Sequence, residues 1–326
     1  MSIKMQLLRM LDENKEVYVS GEALASGLSV SRNAVWKAVR SLREEGYGIT
    51  ASTNRGYRLM SRGDILSDVG IAAHLKTENV FHIDVRKTVT STNTVLRELA
   101  AKGAPEGYVV AAEEQTAGKG RLGRSFHSPP AHGVYFSLLL RPGRKSLDSA
   151  LITSAAAVAT ARAIEEITGV SVGIKWVNDL FSGGKKVCGI LTEATFDMES
   201  GLIESAVLGI GVNVTMPEEG YPDGIVDVVT ALTDRESGKD SERCRLIAAT
   251  LESFWEFYQD LSARKFLDEY RSRSILLGKD IHVLSHDGSR PARAIGIDDD
   301  CRLVVRYDNG DTAVLSTGEV STRLVE

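Results

Sequence analysis

Residues 113–130, EEQTAGKGRLGRSFHSPP, decide between two folds. Gly118-x-Gly120-x-x-Gly123 has the letters of the dinucleotide fingerprint, which in a doubly wound sheet ends a strand and opens a helix. Here Pro129 and Pro130 follow within seven residues of Gly123, and no helical periodicity comes after them, so the segment opens no helix. The Gly-x-x-x-x-Gly-Lys-Ser/Thr order of a P-loop is absent as well. What remains is a loop with three cations, Lys119, Arg121 and Arg124, set among three glycines. Glycine lets the backbone approach a ligand closely, and arginine suits bidentate contact with phosphate or carboxylate oxygens. A solvated basic turn needs only one glycine. The loop is therefore expected to hold an anion, and to be mobile until that anion orders it.

Outward from this loop, short β-rich segments alternate with helical ones. VFHIDVRKTV (80–89), YVVAAEE (108–114), GVYFSLLLRP (133–142), GVSVGIKWV (169–177), KVCGILTEATF (186–196) and IESAVLGIGVNV (203–214) read as strands. Residues near 147–168 form a long alanine-rich helix, and helical stretches follow at about 241–260 and 264–274. The two strands around Glu199-Ser200-Gly201 suggest an antiparallel hairpin. This is an α+β pattern: a central mixed α/β domain whose sheet is largely antiparallel. From Gly278 onward DIHVLS, ARAIGI, LVVRYD and TAVLS, separated by Asp287-Gly288, Asp298-Asp299-Asp300 and Asn309-Gly310, predict a small SH3-like β-barrel.

The first sixty residues differ. Ile3, Leu7, Met10 and Leu11 mark an amphipathic first helix. Ser20 would cap a second through Leu24 and Ala25, with a turn at Gly27. Ser29 or Ser31 opens a third helix with a buried stripe of Val35, Val39 and Leu42, ended by Gly46. Tyr47 to Ala51, the turn Asn54-Arg55-Gly56, and Tyr57 to Leu59 form a hairpin. Three helices and a hairpin tipped by an arginine describe a winged helix-turn-helix. Ser31, Arg32, Asn33, Trp36 and Lys37 would face DNA from the third helix and Arg55 from the wing. The charge agrees: residues 1–62 hold ten Lys/Arg against six Asp/Glu, whereas the remainder holds 29 against 38. A small helical interaction module is the competing reading, and the cationic outer face of the third helix favours DNA. The expected domains are 1–62, 63–275 and 276–326.

Composition narrows the rest. The 326 residues are 43% hydrophobic and 25% charged, ordinary for a globular protein. There is no apolar run of membrane-spanning length and no signal-peptide pattern, so a cytoplasmic location and no membrane partner are expected. Cys188, Cys244 and Cys301 lack paired spacing and fit reduced thiols rather than disulfides or a zinc site.

QTAGKGRLGRSF (115–126), with TSTN at 90–93 and KWVNDLFSGGKKVCGILTE at 175–193, resembles the bifunctional biotin protein ligases that double as biotin operon repressors. Together with the winged helix and the strand-rich tail, the similarity spans essentially the whole chain. It implies a class II synthetase-like central domain that joins biotin to ATP as biotinyl-5′-AMP and transfers biotin to a lysine of a biotin carboxyl carrier protein domain. It also implies repression at operator DNA by a homodimer, with the adenylate as corepressor and Mg²⁺ accompanying ATP.

By the resemblance, Lys186 contacts biotin's carboxylate and the α-phosphate and stabilises the developing charge. Ser91, Thr92, Asn93 and Gln115 hold the ureido ring, with Gly118, Lys119, Gly120, Arg121 and Gly189 completing the biotin site. Arg121, Arg124, Asn178, Asp179, Asn213 and Arg323 take the nucleotide side. Asp179 is either a Mg²⁺ ligand or a loop-ordering group. Read without the resemblance, Ser91, Thr92 and Asn93 would cap a helix, Lys185 and Lys186 would be hairpin lysines, and Trp176 is core. Lys119 stands where many family members have arginine, keeping the charge and losing the planar fork. A transcription factor that merely senses a small molecule, and a lipoyl ligase, are the competing functions. The loop cations argue against the first, the winged helix and the Gly-Lys-Gly-Arg loop against the second.

Overall fold

The computed structural model describes residues 2–14, 16–60, 65–77, 79–142, 149–196, 203–233, 242–285, 288–316 and 319–321. Helices α1 (Ile3–Glu13), α2 (Gly21–Gly27) and α3 (Arg32–Glu44) precede a hairpin of β1 (Ile49–Ser52) and β2 (Gly56–Leu59). Each helix starts where a serine takes a backbone N–H: Ser2 from Met5, Ser20 from Ala23, Ser31 from Ala34. The helices bury Leu7, Leu8, Leu11, Leu24, Val35, Val39 and Leu42 against one another. Leu8 thus replaces Ile3, which is exposed, on the buried face of α1. Gly27 closes α2 rather than forming the turn, and β1 starts at Ile49 rather than Tyr47.

A short helix unannounced by the sequence pattern, α4 (Asp68–His74), joins this unit to the rest. Its Val69 and Ala73 pack with the first helices, while Ile71 belongs to the larger core. Arg9 fixes the junction by donating to the carbonyls of Ala73 and Leu75, both at 2.8 Å.

The central unit comprises β3 (His82–Val89), α5 (Thr92–Ala101), β4 (Tyr108–Gln115), β5 (Gly133–Leu140), α6 (Ser149–Thr168), β6 (Gly173–Lys175), β7 (Asp179–Ser182), β8 (Lys185–Phe196) and β9 (Ile203–Asn213). The helices α7 (Glu242–Gln259) and α8 (Leu267–Ser272) follow. Seven strands form one sheet in the order β3-β4-β5-β9-β8-β7-β6, and only the β3–β4 pair is parallel. The helix α6 covers one face with alanines and small residues, which allow close approach to β8 and β9, and α7 packs beside it. The opposite face, left to α5 and the glycine-rich loop, holds the cleft.

The C-terminal unit has β10 (Asp280–Ser285), β11 (Gly288–Ile297), β12 (Leu303–Tyr307), β13 (Thr312–Leu315) and β14 (Glu319–Ser321) in the antiparallel order β13-β12-β11-β10-β14. Its Ile281, Ala292, Ala294, Leu303 and Val305 continue the central core. The indole of Trp176 donates to the carbonyl of Cys301 at 2.8 Å, tying this unit to the strand end beside the cleft.

Candidate active site and DNA-binding face

The cleft is built across β8 and β9, where Gly189, Gly209 and Gly211 leave the sheet surface bare. A side chain at Gly209 would meet Asn93 Oδ1 at 2.1 Å, and one at Gly211 would meet the Phe126 ring at 2.6 Å. Both neighbours sit where only glycine permits them.

One end of the cleft is neutral and polar. Ser91, Thr92 and Asn93 enter it from the start of α5, and Gln115 from the end of β4. The Gln115 carbonyl oxygen accepts from the Thr92 N–H at 2.9 Å, and its amide donates to Ser128 Oγ at 2.8 Å. Asn93 donates to Glu193 Oε2 at 2.8 Å. Ser91 occupies the N-cap position, yet its hydroxyl makes no capping bond. The capping role expected of 91–93 is thus replaced by a wall: all three are buried and face inward. Behind them lies Ser137 of β5, fully buried, within hydrogen-bond distance of both Thr92 and Asn93. Its signal in the sequence is a lone serine in a strand of otherwise apolar and aromatic side chains.

The other end is charged. Lys186 Nζ lies 2.7 Å from Asp179 Oδ1. Arg121 donates to Asn178 Oδ1 at 3.2 Å, and Asn178 is held in turn by its amide bond to the Ile190 carbonyl at 2.7 Å. Lys119 and Gly120 line the cleft beside Arg121, while Arg124 borders the adjoining hollow with Lys175, Asp179 and Lys186. The glycine-rich loop that carries these cations is folded back on itself. The Gly120 N–H donates to the Arg124 carbonyl at 2.7 Å, and the Phe126 N–H to the Gly118 carbonyl at 2.8 Å. Gly118 lies at the root of this fold, where a Cβ would strike the Phe126 carbonyl at 2.3 Å.

A segment that periodicity did not reveal, residues 225–233, runs beside β8. Lys186 donates its N–H to the Val228 carbonyl and accepts from the Thr230 N–H, both at 2.9 Å, so its backbone is clamped. Lys185 is not a free surface lysine, for its ammonium donates to the Val226 carbonyl at 3.0 Å. Val226 and Val228 are exposed there, an apolar surface beside the cations. Asn213 is not brought to the cleft wall; it is buried and donates to the Thr230 carbonyl at 3.2 Å, holding this segment instead. Arg323 lies outside the described residues. Cys188, wholly buried behind Lys186, has its thiol pushed well up by desolvation, which makes it a poor nucleophile at neutral pH. No group of three metal-ligating side chains occurs among the described residues.

The structure brings the DNA-facing candidates to one surface. Arg32, Asn33, Trp36 and Lys37 are exposed along α3, and Ser31 serves as its cap. In the wing, Arg55 and Arg58 stack on the Tyr18 ring at 4.6 and 4.7 Å. That contact holds two cations on the wing, of which Arg58 also pairs with Glu16 at 4.0 Å.

The Biotin/lipoate A/B protein ligase family model matches residues 85–213, an HTH domain model residues 4–58, and the Biotin protein ligase C terminal domain model residues 276–323. The chain is 34% identical over 319 residues to the bifunctional ligase/repressor BirA of Bacillus subtilis, covering 97% of each. It belongs to the bifunctional biotin protein ligase/repressor family. This ligase/repressor-family chain is also 32% identical to the biotin–[acetyl-CoA-carboxylase] ligase of Mycobacterium tuberculosis, over 73% of the chain and 88% of the relative. Among solved structures, the biotin protein ligase of Aquifex aeolicus in complex with biotin and ATP matches with a TM-score of 0.63 and 27% identity, over 74% of this chain and 97% of that one. Membership and geometry agree: a winged helix, an α+β ligase domain and a C-terminal β-unit occur in family order. No helix among the described residues is long and apolar enough to cross a membrane.

Proposed function

We propose that this chain is an ATP-dependent biotin protein ligase and a DNA-binding repressor. One observation carries the enzymatic half: a single cleft joins a neutral hydrogen-bonding end to a cationic end. The neutral end (Ser91, Thr92, Asn93, Gln115) suits the uncharged ureido head of biotin, which both donates and accepts. At the other end Lys119, Arg121, Arg124 and Lys186 answer the charge of a carboxylate meeting a triphosphate. Biotin's carboxylate oxygen attacks the α-phosphorus, and the bond to pyrophosphate breaks. The amine of a carrier lysine then attacks the acyl carbon; the bond to AMP breaks and the lysine loses a proton.

Lys186 is the charge-stabilising residue, and its clamped backbone fixes where the ammonium can reach. Asp179 orients that ammonium. Asp179, the acidic side chain lining the charged hollow, would also be a ligand for Mg²⁺, which would neutralise charge on the nucleotide's phosphates. Asn213 acts indirectly by seating residues 225–233, whose valines offer an apolar surface to the nucleotide base. Gly118, Gly120 and Gly189 allow close approach, and Arg323 is assigned to the nucleotide side on family grounds. Residues 1–62 bind operator DNA, 63–275 bind biotin and ATP, and 276–326 make up the SH3-like domain. Biotinyl-5′-AMP acts as corepressor by promoting a homodimer whose two winged helices meet a palindromic operator in the cytoplasm. The test is ATP–pyrophosphate exchange: dependence on biotin supports the proposal, whereas exchange driven by lipoate or independent of biotin rejects it.

A further inference from the structure

The chain between α1 and α2 runs back along the wing, antiparallel to β2. The Glu16 N–H donates to the Leu59 carbonyl at 3.2 Å, and Val19 and Tyr57 exchange backbone hydrogen bonds, both at 2.8 Å. Gly56 permits this approach: its φ is +101°, and a Cβ there would meet the Val19 carbonyl oxygen at 2.0 Å. With Val19 opposite Tyr57, the preceding Tyr18 falls opposite Arg58, on the other face of the wing. The Tyr18 ring, partly buried there, takes two guanidinium groups, Arg55 from the turn and Arg58 from β2, at 4.6 and 4.7 Å from its centroid. The two arginines are not alike. Arg58 is partly buried and pairs with Glu16 at 4.0 Å, so its charge is answered within the wing. Arg55 is exposed and has no acidic partner among the described residues; the ring is what its side chain rests on.

We infer that Tyr18, which lies outside the third helix and the wing turn, is a positioning residue for DNA binding: its ring holds Arg55 ready for a phosphate of the duplex backbone. An aromatic face attracts a guanidinium without consuming the N–H donors on its edge, which remain for phosphate oxygens. An arginine loose at a turn gives up rotamer freedom when it meets a phosphate, whereas one already stacked gives up less. Arg58, tied to Glu16, supports the ring from β2 and leaves Arg55 as the wing cation with charge to spend on DNA. This rests on the DNA-binding reading proposed above.

The probe is a DNA duplex selected from a random-sequence pool by the full chain with biotin and MgATP, its dissociation constant measured over a salt series. Tyr18→Leu keeps apolar bulk and removes the aromatic face. Losing an exposed cation–π contact and the ordering that it brings should weaken binding about three- to tenfold. Tyr18→Phe keeps the face and should bind within about twofold of wild type. Arg55→Ala should lower the log–log salt slope by about one, as loss of a single phosphate contact does. Adding Tyr18→Leu to Arg55→Ala should then weaken binding less than about twofold further, whereas a ring that merely packs the wing would cost as much in either background. Thermal melting of all the variants checks folding. If no duplex is enriched, the DNA-binding reading itself fails. If one is, the role of Tyr18 alone is overturned by any of four results: Tyr18→Leu binding within twofold of wild type, Tyr18→Phe losing as much as Tyr18→Leu, an unchanged slope in Arg55→Ala, or independent losses in the double variant.

Discussion

Replacing Lys186 by alanine should abolish adenylate formation while sparing the fold, and the structure sets both magnitudes. The ammonium is the cation that reaches Asp179 at 2.7 Å at the junction of the neutral and charged ends. Removing one preorganised donor from a developing oxyanion costs about 2.7–4 kcal/mol, or about a hundred- to thousandfold in kcat. Stability should fall much less. The Lys186 backbone bonds to Val228 and Thr230 do not involve the side chain, and the ion pair is about a quarter exposed at each partner. Solvent screening then limits the loss to roughly 1 kcal/mol. Lys185→Ala is the matched control: its ammonium is held by the Val226 carbonyl and does not line the cleft or the adjoining hollow, so exchange activity should stay within about threefold of wild type. The assay is biotin-dependent pyrophosphate exchange at saturating substrates, with melting curves for all three proteins. Lys186→Ala activity within threefold of wild type, or an equal loss in Lys185→Ala, would refute the reasoning.

Three further outcomes are expected. Lys37→Ala and Arg55→Ala should each lower the log–log salt slope of operator binding by about one and leave pyrophosphate exchange unchanged, because both residues are exposed on the winged unit. An unchanged slope would remove them from the DNA face. Tyr270→Phe should cost about 1–2 kcal/mol in urea unfolding by losing the buried bond to the Val177 carbonyl at 3.0 Å. It should also lower kcat, since that carbonyl precedes Asn178 and Asp179; unaltered unfolding and kcat would show the bond to be idle. The Glu165 carboxyl is held below its usual 4.5 by hydrogen bonds from Arg273. A lowered folded-state pKa gives stability that is present above the unfolded value and lost as pH falls through the folded one. Melting temperature should therefore drop less steeply below about pH 4.5 in Glu165→Gln than in wild type, and parallel curves would contradict this.

The sequence was most legible where one local rule sufficed. Serine caps marked the second and third helices of the winged unit, with Ser31 rather than Ser29 capping the third, the stripe of Val35, Val39 and Leu42 set the face of α3, and Pro129-Pro130 ruled out a dinucleotide helix. It was least legible where a role depends on contacts distant in the chain. Ser137 has meaning only beside Thr92 and Asn93, more than forty residues earlier. Residues 225–233 carry no strand periodicity because they pair with Lys186 over only a few residues. The short α4 and the four-residue β7 fall below the length at which apolar spacing is informative. Ser91 illustrates a local rule overridden: it sits where a cap belongs, but its hydroxyl is turned to the cleft instead.

The central claim is that one cleft makes an activated acyl group and delivers it to an amine. Mass spectrometry of a biotin carrier domain incubated with the full chain, biotin and MgATP tests it directly. The expected spectrum shows the carrier heavier by one biotinyl group, and only when both small molecules are present. A carrier of unchanged mass, with biotin and ATP unconsumed, would contradict it.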